Sequence, residues 1–154
     1  EVCSTTLPQM AIPAVYGDPR YAALKAERSA MFERRSNQVF EYFRDHVPGT
    51  IVRPVQGAFY FCVAFEDGVL NDRQTLPIAD PAVKAFVEKS VEGVALDKRF
   101  VHYMMASEGV CVTPLTGFHT DILGFRLTTL NPDDAKRART LERIGDSIRR
   151  YLKS

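Results

Sequence analysis

The alternation of apolar and polar positions along the chain changes period several times, and each change marks an element. After Pro19 no Gly or Pro occurs before Pro48, and Leu24, Met31, Phe32, Val39 and Phe43 recur at spacings of three, four and seven. Lys25, Glu27, Arg34, Arg35 and Glu41 lie largely on other faces. This pattern predicts one long helix over 18–46, with Asp18 capping it and Pro19 at its first position, where a missing N–H costs nothing. At the usual rise such a helix is about 40 Å long, more than a domain of this size needs unless it also braces a neighbour.

The period then shortens. "TIVRPVQGAFYFCVAF" predicts a short strand to Arg53, a break over 54–57, and a second strand from Ala58 to about Phe65. Phe59, Phe61, Val63 and Phe65 share one face, and Tyr60, Cys62 and Ala64 on the other are mostly apolar, so the strand is expected to be covered on both sides. "EDGVLNDRQTLPI" reads as a turn-rich loop and the most mobile segment. "DPAVKAFVEKSVEG" predicts a helix with Val83, Phe86, Val87 and Val91 on one face, and "DKRFVHYMMASEG" a second closed by Gly109. "VCVTP" is a strand, "LTGFHTDIL" a loop and "GFRLTTL" a strand. The last helix, "NPDDAKRARTLERIGDSIRRYLKS", is expected to be capped by Asn131 with Pro132 first. The order αββ(α)αββα, with helices able to cover one face of the paired strands, predicts an α+β fold, an α/β two-layer sandwich.

Composition narrows this to one domain, since 154 residues with 45% hydrophobic content close a single core. Residues 18–154 are assigned to it. Residues 1–17 open on "EVCSTTLPQMAIPAV", with no cap or turn to start an element, as a chain does when it has been cut from something longer. The formal charge of +1 gives no global field for nucleic acid or an anionic membrane. No apolar run approaches the roughly 20 residues of a membrane helix. Cys3, Cys62 and Cys111 are far apart and form no CxxC pair, which predicts reduced, buried thiols in a soluble cytoplasmic protein.

Most candidate chemistry falls away on spacing. His46, His102 and His119 have no metal-ligand spacing to a second His or Cys, and the pair His119–Asp121 alone makes no centre, so no metal is expected. There is no GxSxG, no phosphate-cradling GxGxxG and no GxxxxGK. The basic run of the last helix is interleaved with Leu141, Ile144, Ile148, Tyr151 and Leu152 and with several acids, the mark of a packing helix rather than a nucleic-acid helix.

Arg126 is different. It sits in the otherwise uncharged strand "GFRLTTL", on the face shared with Thr128 and Leu130. Its planar five-donor fork fits a carboxylate through two parallel hydrogen bonds. An internal ion pair or an edge residue reaching solvent would explain it equally well on spacing alone.

Three motifs in order bear on that choice: "PVQGAFYFCVAF", "ASEGVCVTPLTGFH" and "GFRLTTLNPDD" followed by an amphipathic helix. They resemble the carboxyl-terminal part of the class I/II aminotransferases, the fold-type I pyridoxal-phosphate enzymes, near the alanine and aspartate branch. The resemblance spans almost all of this chain and about the last third of a family member. It implies the small domain of such an enzyme, preceded by a long connecting helix over 18–46, with residues 1–17 leaving a large domain that lies outside this sequence. It also implies that Arg126 pairs with the α-carboxylate of an amino-acid substrate. The complete enzyme would exchange an amino group between an amino acid and a 2-oxo acid through pyridoxal 5'-phosphate, as a homodimer. The family's Schiff-base lysine and cofactor-phosphate loop belong to the large domain, and Lys25, Lys84, Lys89, Lys98, Lys136 and Lys153 lie in no comparable motif. This span alone is therefore expected to have no catalytic residue, not to bind the cofactor and to be inactive. The usual "PGS.FG" loop is here "PLTGFH", which alters the substrate pocket. A non-catalytic amino-acid or carboxylate-binding module built on Arg126 is the alternative.

Overall fold

The β-branched and aromatic runs form four strands, and the computed structural model describes them within residues 5–154. They are β1 (Thr50–Ile51), β2 (Tyr60–Phe65), β3 (Thr113–Pro114) and β4 (Gly124–Thr128), in an antiparallel sheet of order β1-β2-β4-β3. The register sets Cys62 opposite Arg126, Val63 opposite Phe125 and Thr113 opposite Arg126. Odd-numbered residues of β2 and Phe125 of β4 thus point to one side, and even-numbered ones to the other.

The helices are α1 (Thr6–Gly17), α2 (Tyr21–His46), α3 (Pro81–Ser90), α4 (Leu96–Glu108) and α5 (Asp134–Tyr151), and α2, α4 and α5 cover the odd side. Phe61, Val63, Phe65 and Phe125 meet Phe43 of α2, Phe100 of α4 and Ile144, Ile148 and Tyr151 of α5 in one core. Ring centroids of Phe65 and Phe100, and of Phe100 and Tyr151, are 5.2 and 5.1 Å apart, within the range where aromatic pairs add to area burial. Each fully buried Phe contributes roughly 2–3 kcal/mol, so this cluster defines how the helices sit on the sheet.

The expected α+β sandwich is present, with several local corrections. β2 is not covered equally on both sides: Tyr60 and Cys62 are exposed, because the core-forming helices pack on the odd-numbered face. Cys62 and Cys111 are accordingly exposed rather than buried, and Cys3 lies outside the described residues. Residues 6–17 form α1 without any side-chain cap, and it buries none of its residues. Asp18 does not cap α2. It follows α1, and its carboxylate accepts from the Arg20 amide at 2.8 Å and from the Arg20 guanidinium, so α2 starts at Tyr21. Of the apolar stripe of α2, Val39 and Phe43 are buried, while Leu24 is exposed because the first half of the helix runs beyond the core. On α3, capped by Asp80 as expected, Val87 and Val91 are buried but Phe86 and Val83 face outward. The cap of α5 is Asp133, whose carboxylate accepts from Lys136 N at 2.8 Å. Asn131 instead accepts from Asp133 N and shapes the turn before it.

The segment 66–78 is pinned rather than loose. Leu70, Gln74 and Leu76 are buried in it. The Gln74 side chain accepts from Asn71 N and donates to Val69 O, both at 2.9 Å, and Arg99 Nε donates to the Gln74 carbonyl. One buried amide side chain closes the turn-rich loop on itself.

Candidate functional site

Arg126 leaves the middle of β4, which lies between β2 and β3 and is not a sheet edge. Its side chain rises on the even-numbered face among Tyr60, Cys62, Thr113 and Thr128. Register explains the company. Tyr60 is paired with Thr128 and Cys62 with Arg126, so the aromatic side chain stands diagonally beside the arginine, within reach of long side chains across two strands.

The guanidinium lies against two aromatic rings. Its Cζ is 4.1 Å from the ring centroid of Tyr60 and 4.3 Å from that of Phe118. Such cation–π contacts stabilise by roughly 0.5–2 kcal/mol each. Among the described residues, no carboxylate lies within ion-pair distance of Arg126, and its side chain makes no hydrogen bond. The internal ion pair left open by the sequence is therefore not what this strand contains.

Phe118 ends a 3₁₀ turn, Leu115–Phe118, inserted between β3 and β4 and followed by His119 in the left-handed region at φ 57°. Thr116 of that turn is tied to Asp97 on α4. Neither Phe118 nor Asp97 carries a motif by itself. The sequence signal for Tyr60 was its parity with Cys62, readable only once the register with β4 is known.

Beside Arg126 opens a cleft of about 490 Å³, lined also by Thr113, Thr128, Cys111, Arg35 and Arg137. Arg35 is buried. Its NH1 donates to the Thr129 carbonyl at 3.0 Å, its NH2 lies 3.7 Å from Asp134 Oδ1, and its Nε has no partner among the described residues. Burial, and then the neighbouring Arg137, lower its pKa from the ordinary arginine value. A direct hydrogen bond from Arg137 at 2.7 Å holds the Asp134 carboxyl below the usual range. Arg35 thus joins α2, the end of β4 and the start of α5.

The remaining candidates stay apart. His46 ends α2, His102 lies on α4 and His119 follows the 3₁₀ turn. The basic residues of α5 are largely paired: Arg137 with Asp134, Arg149 with Asp146 and Arg150 with Glu108, while Ile144, Ile148 and Tyr151 face the core.

The comparisons agree with this architecture. No family model matches the chain. An uncharacterised aminotransferase of Methanocaldococcus jannaschii is 42% identical over 154 residues, which is all of this chain and 35% of that protein. Alanine aminotransferase 2 of Xenopus laevis is 28% identical over 144 residues, covering 91% of this chain and 24% of that protein. The crystal structure of the aspartate aminotransferase from Rhizobium meliloti matches the fold with a TM-score of 0.70 at 24% identity, over 96% of this chain and 32% of that one. The chain thus spans between about a quarter and a third of the relatives it matches. In sequence the chain is thus similar to aminotransferases along its whole length, its fold is that of part of such an enzyme, and both fit a carboxyl-terminal α+β fragment of a class I/II aminotransferase.

Proposed function

We propose that this span is the substrate-carboxylate clamp of a pyridoxal-phosphate-dependent aminotransferase, and that Arg126 receives the α-carboxylate of the amino acid or 2-oxo acid. The observation that carries the reading is the guanidinium of Arg126 beside the Tyr60 and Phe118 rings, with no carboxylate at ion-pair distance among the described residues. A carboxylate laid along the guanidinium edge accepts two parallel charge-assisted hydrogen bonds, which fix both its distance and its plane. The rest of the substrate is then oriented before any bond changes, and orientation of this kind accounts for several kcal/mol of a barrier.

The residues of this span do not fit the cofactor itself. No lysine lines the cleft beside Arg126, whose other charged side chains are Arg35, Arg137, Asp134 and Glu142. The lysine that carries pyridoxal phosphate, and the groups that tune it, are assigned to the part of the relatives that lies outside this span, so the 154 residues alone are inactive. On this reading residues 1–17 connect to that large domain, 18–154 form the small domain, and the complete enzyme is a homodimer.

Arg126→Lys in the full-length protein tests the reading. Lys keeps the charge and loses the planar fork, so kcat/KM for amino-acid substrates is expected to fall roughly 10- to 100-fold. An unchanged kcat/KM refutes the clamp. Binding of an amino acid by the isolated span, abolished by Arg126→Ala, would favour a stand-alone binding module instead.

A further inference from the structure

We infer that the buried carboxylate of Asp97 is a positioning residue for the Arg126 clamp, acting through Thr116 and the 3₁₀ turn that carries Phe118. This rests on the carboxylate role proposed for Arg126.

Asp97 is the second residue of α4 and is 0% exposed. An ionised group is rarely buried so fully without a cation, and among the described residues none lies within ion-pair distance of it. Its charge is met by hydrogen-bond donors and by the positive end of the helix dipole. Lys98 N donates to Oδ1 at 2.7 Å, Thr116 N to Oδ2 at 2.9 Å, and Thr116 Oγ1 to Oδ1 at 2.7 Å. Two of the three bonds therefore reach across the fold to one residue of the turn.

Leu115, at the start of that turn, packs against Gly124 of β4, but none of the turn's four residues is buried, and its Phe118 end has no such apolar anchor. Phe118 is 44% exposed, yet its ring stands 4.3 Å from the Arg126 guanidinium. A half-exposed ring stays over a cation only if the backbone beneath it is fixed. The Asp97–Thr116 pair fixes it two residues away. If the pair is loosened, the guanidinium loses its contact with the Phe118 ring and the fork is free to turn, so a carboxylate must order it on binding.

The test is calorimetric binding of pyruvate, a minimal 2-oxo acid, to the full-length protein, with thermal denaturation to confirm folding. Asp97→Asn preserves size but sets an amide N–H against groups that are themselves donors. It is expected to raise the Kd for pyruvate roughly fivefold, the loss of one cation–π contact. Phe118→Leu is expected to raise it similarly. The double variant should bind no more weakly than Phe118→Leu alone, because both changes remove the same ring. Thr116→Val, which deletes one of the two cross-fold bonds and keeps the carboxylate, should shift Kd in the same direction, and Thr116→Ser should bind as the wild type.

A folded Asp97→Asn protein with wild-type Kd overturns the inference. So do losses that multiply in the double variant. Should Asp97→Asn fail to fold, the pair Thr116→Val and Phe118→Leu decides by the same criterion. Arg126→Gln in the same titration separates the two levels. If it leaves Kd unchanged, the carboxylate reading itself has failed. If it weakens binding while Thr116→Val and Asp97→Asn do not, only the positioning role has failed.

Discussion

Gly124→Ala is a sharp probe of how the fold places Arg126. Gly124 opens β4 opposite Ala64 of β2, two residues before Arg126. A Cβ built there would lie 2.9 Å from the Ala64 Cα and 2.8 Å from Leu115 Cδ1, and closer still to the Val63 carbonyl oxygen. Two of these three atoms are backbone of the paired strand, so no rotamer change relieves the overlap. The β2–β4 ladder must open by several tenths of an ångström, and the strand carrying Arg126 moves with it. Overpacking of this kind costs about 1–3 kcal/mol, and loss of ladder geometry places this case at the upper end. At about 2–4 °C per kcal/mol for a unit of this size, Tm should fall by about 6–12 °C, with a clear drop in the denaturation midpoint and little change in slope. The assay is thermal and urea denaturation of wild type and variant side by side. A Tm within about 2 °C of wild type would refute the argument from close backbone approach, at the low end of what one kcal/mol produces.

Other perturbations test separate parts of the structure. Arg35→Ala leaves the carbonyl of the buried Thr129 without its 3.0 Å donor and should destabilise by about 1–3 kcal/mol in urea titration, the desolvation penalty of an unpaired group. Tyr151 is buried, and burial pushes its hydroxyl up to about 12, with Arg99 opposing. Below pH 10 both folded and unfolded chains hold this proton. Between about pH 10 and 12 the unfolded chain releases it and the folded chain does not, so the wild type should lose about 2–3 kcal/mol relative to Tyr151→Phe over that window. Denaturation of the two proteins across pH 9–12 checks this; parallel curves contradict it. Glu108→Gln removes the partner of Arg150 at a half-exposed site and should change stability by under about 1 kcal/mol in the same urea assay.

The parts of the fold legible in the sequence are those where a local rule and burial agree. Asp80 with Pro81 starts α3 and Gly109, in the left-handed region, closes α4, because cap chemistry is local. The stripe Ile144, Ile148 and Tyr151 reads as a core face and is one. Alternation placed Phe61, Val63 and Phe65 together on the covered face. Where the two diverge, the reading failed. Tyr60, Cys62 and Ala64 look like a second buried face, but apolar character does not say whether a layer lies above. α1 has neither cap nor burial, so neither local signal announces it. Asp18 carries a good cap side chain, yet Arg20 captures its carboxylate.

The site shows the same division. Arg126 stands out as a lone charge in an uncharged strand, and its face follows from parity. The two rings beside it do not follow from the sequence. Tyr60 depends on strand register, and Phe118 depends on a turn fixed by a hydrogen-bonded pair 19 residues apart. Asp97 reads as a helix-first-turn acid, an ordinary role for its position. Only its complete burial and its reach to Thr116 distinguish it.

The proposed recognition of a carboxylate by Arg126 is tested by comparing the binding of pyruvate and its methyl ester to the full-length wild-type and Arg126→Gln proteins. The ester keeps the ketone and most of the shape but removes the charge and the second acceptor. The wild type is expected to prefer pyruvate by roughly 10- to 100-fold, as charge-assisted bidentate bonds would give, and Arg126→Gln to lose nearly all of that preference. An equal preference in both proteins would contradict the proposal.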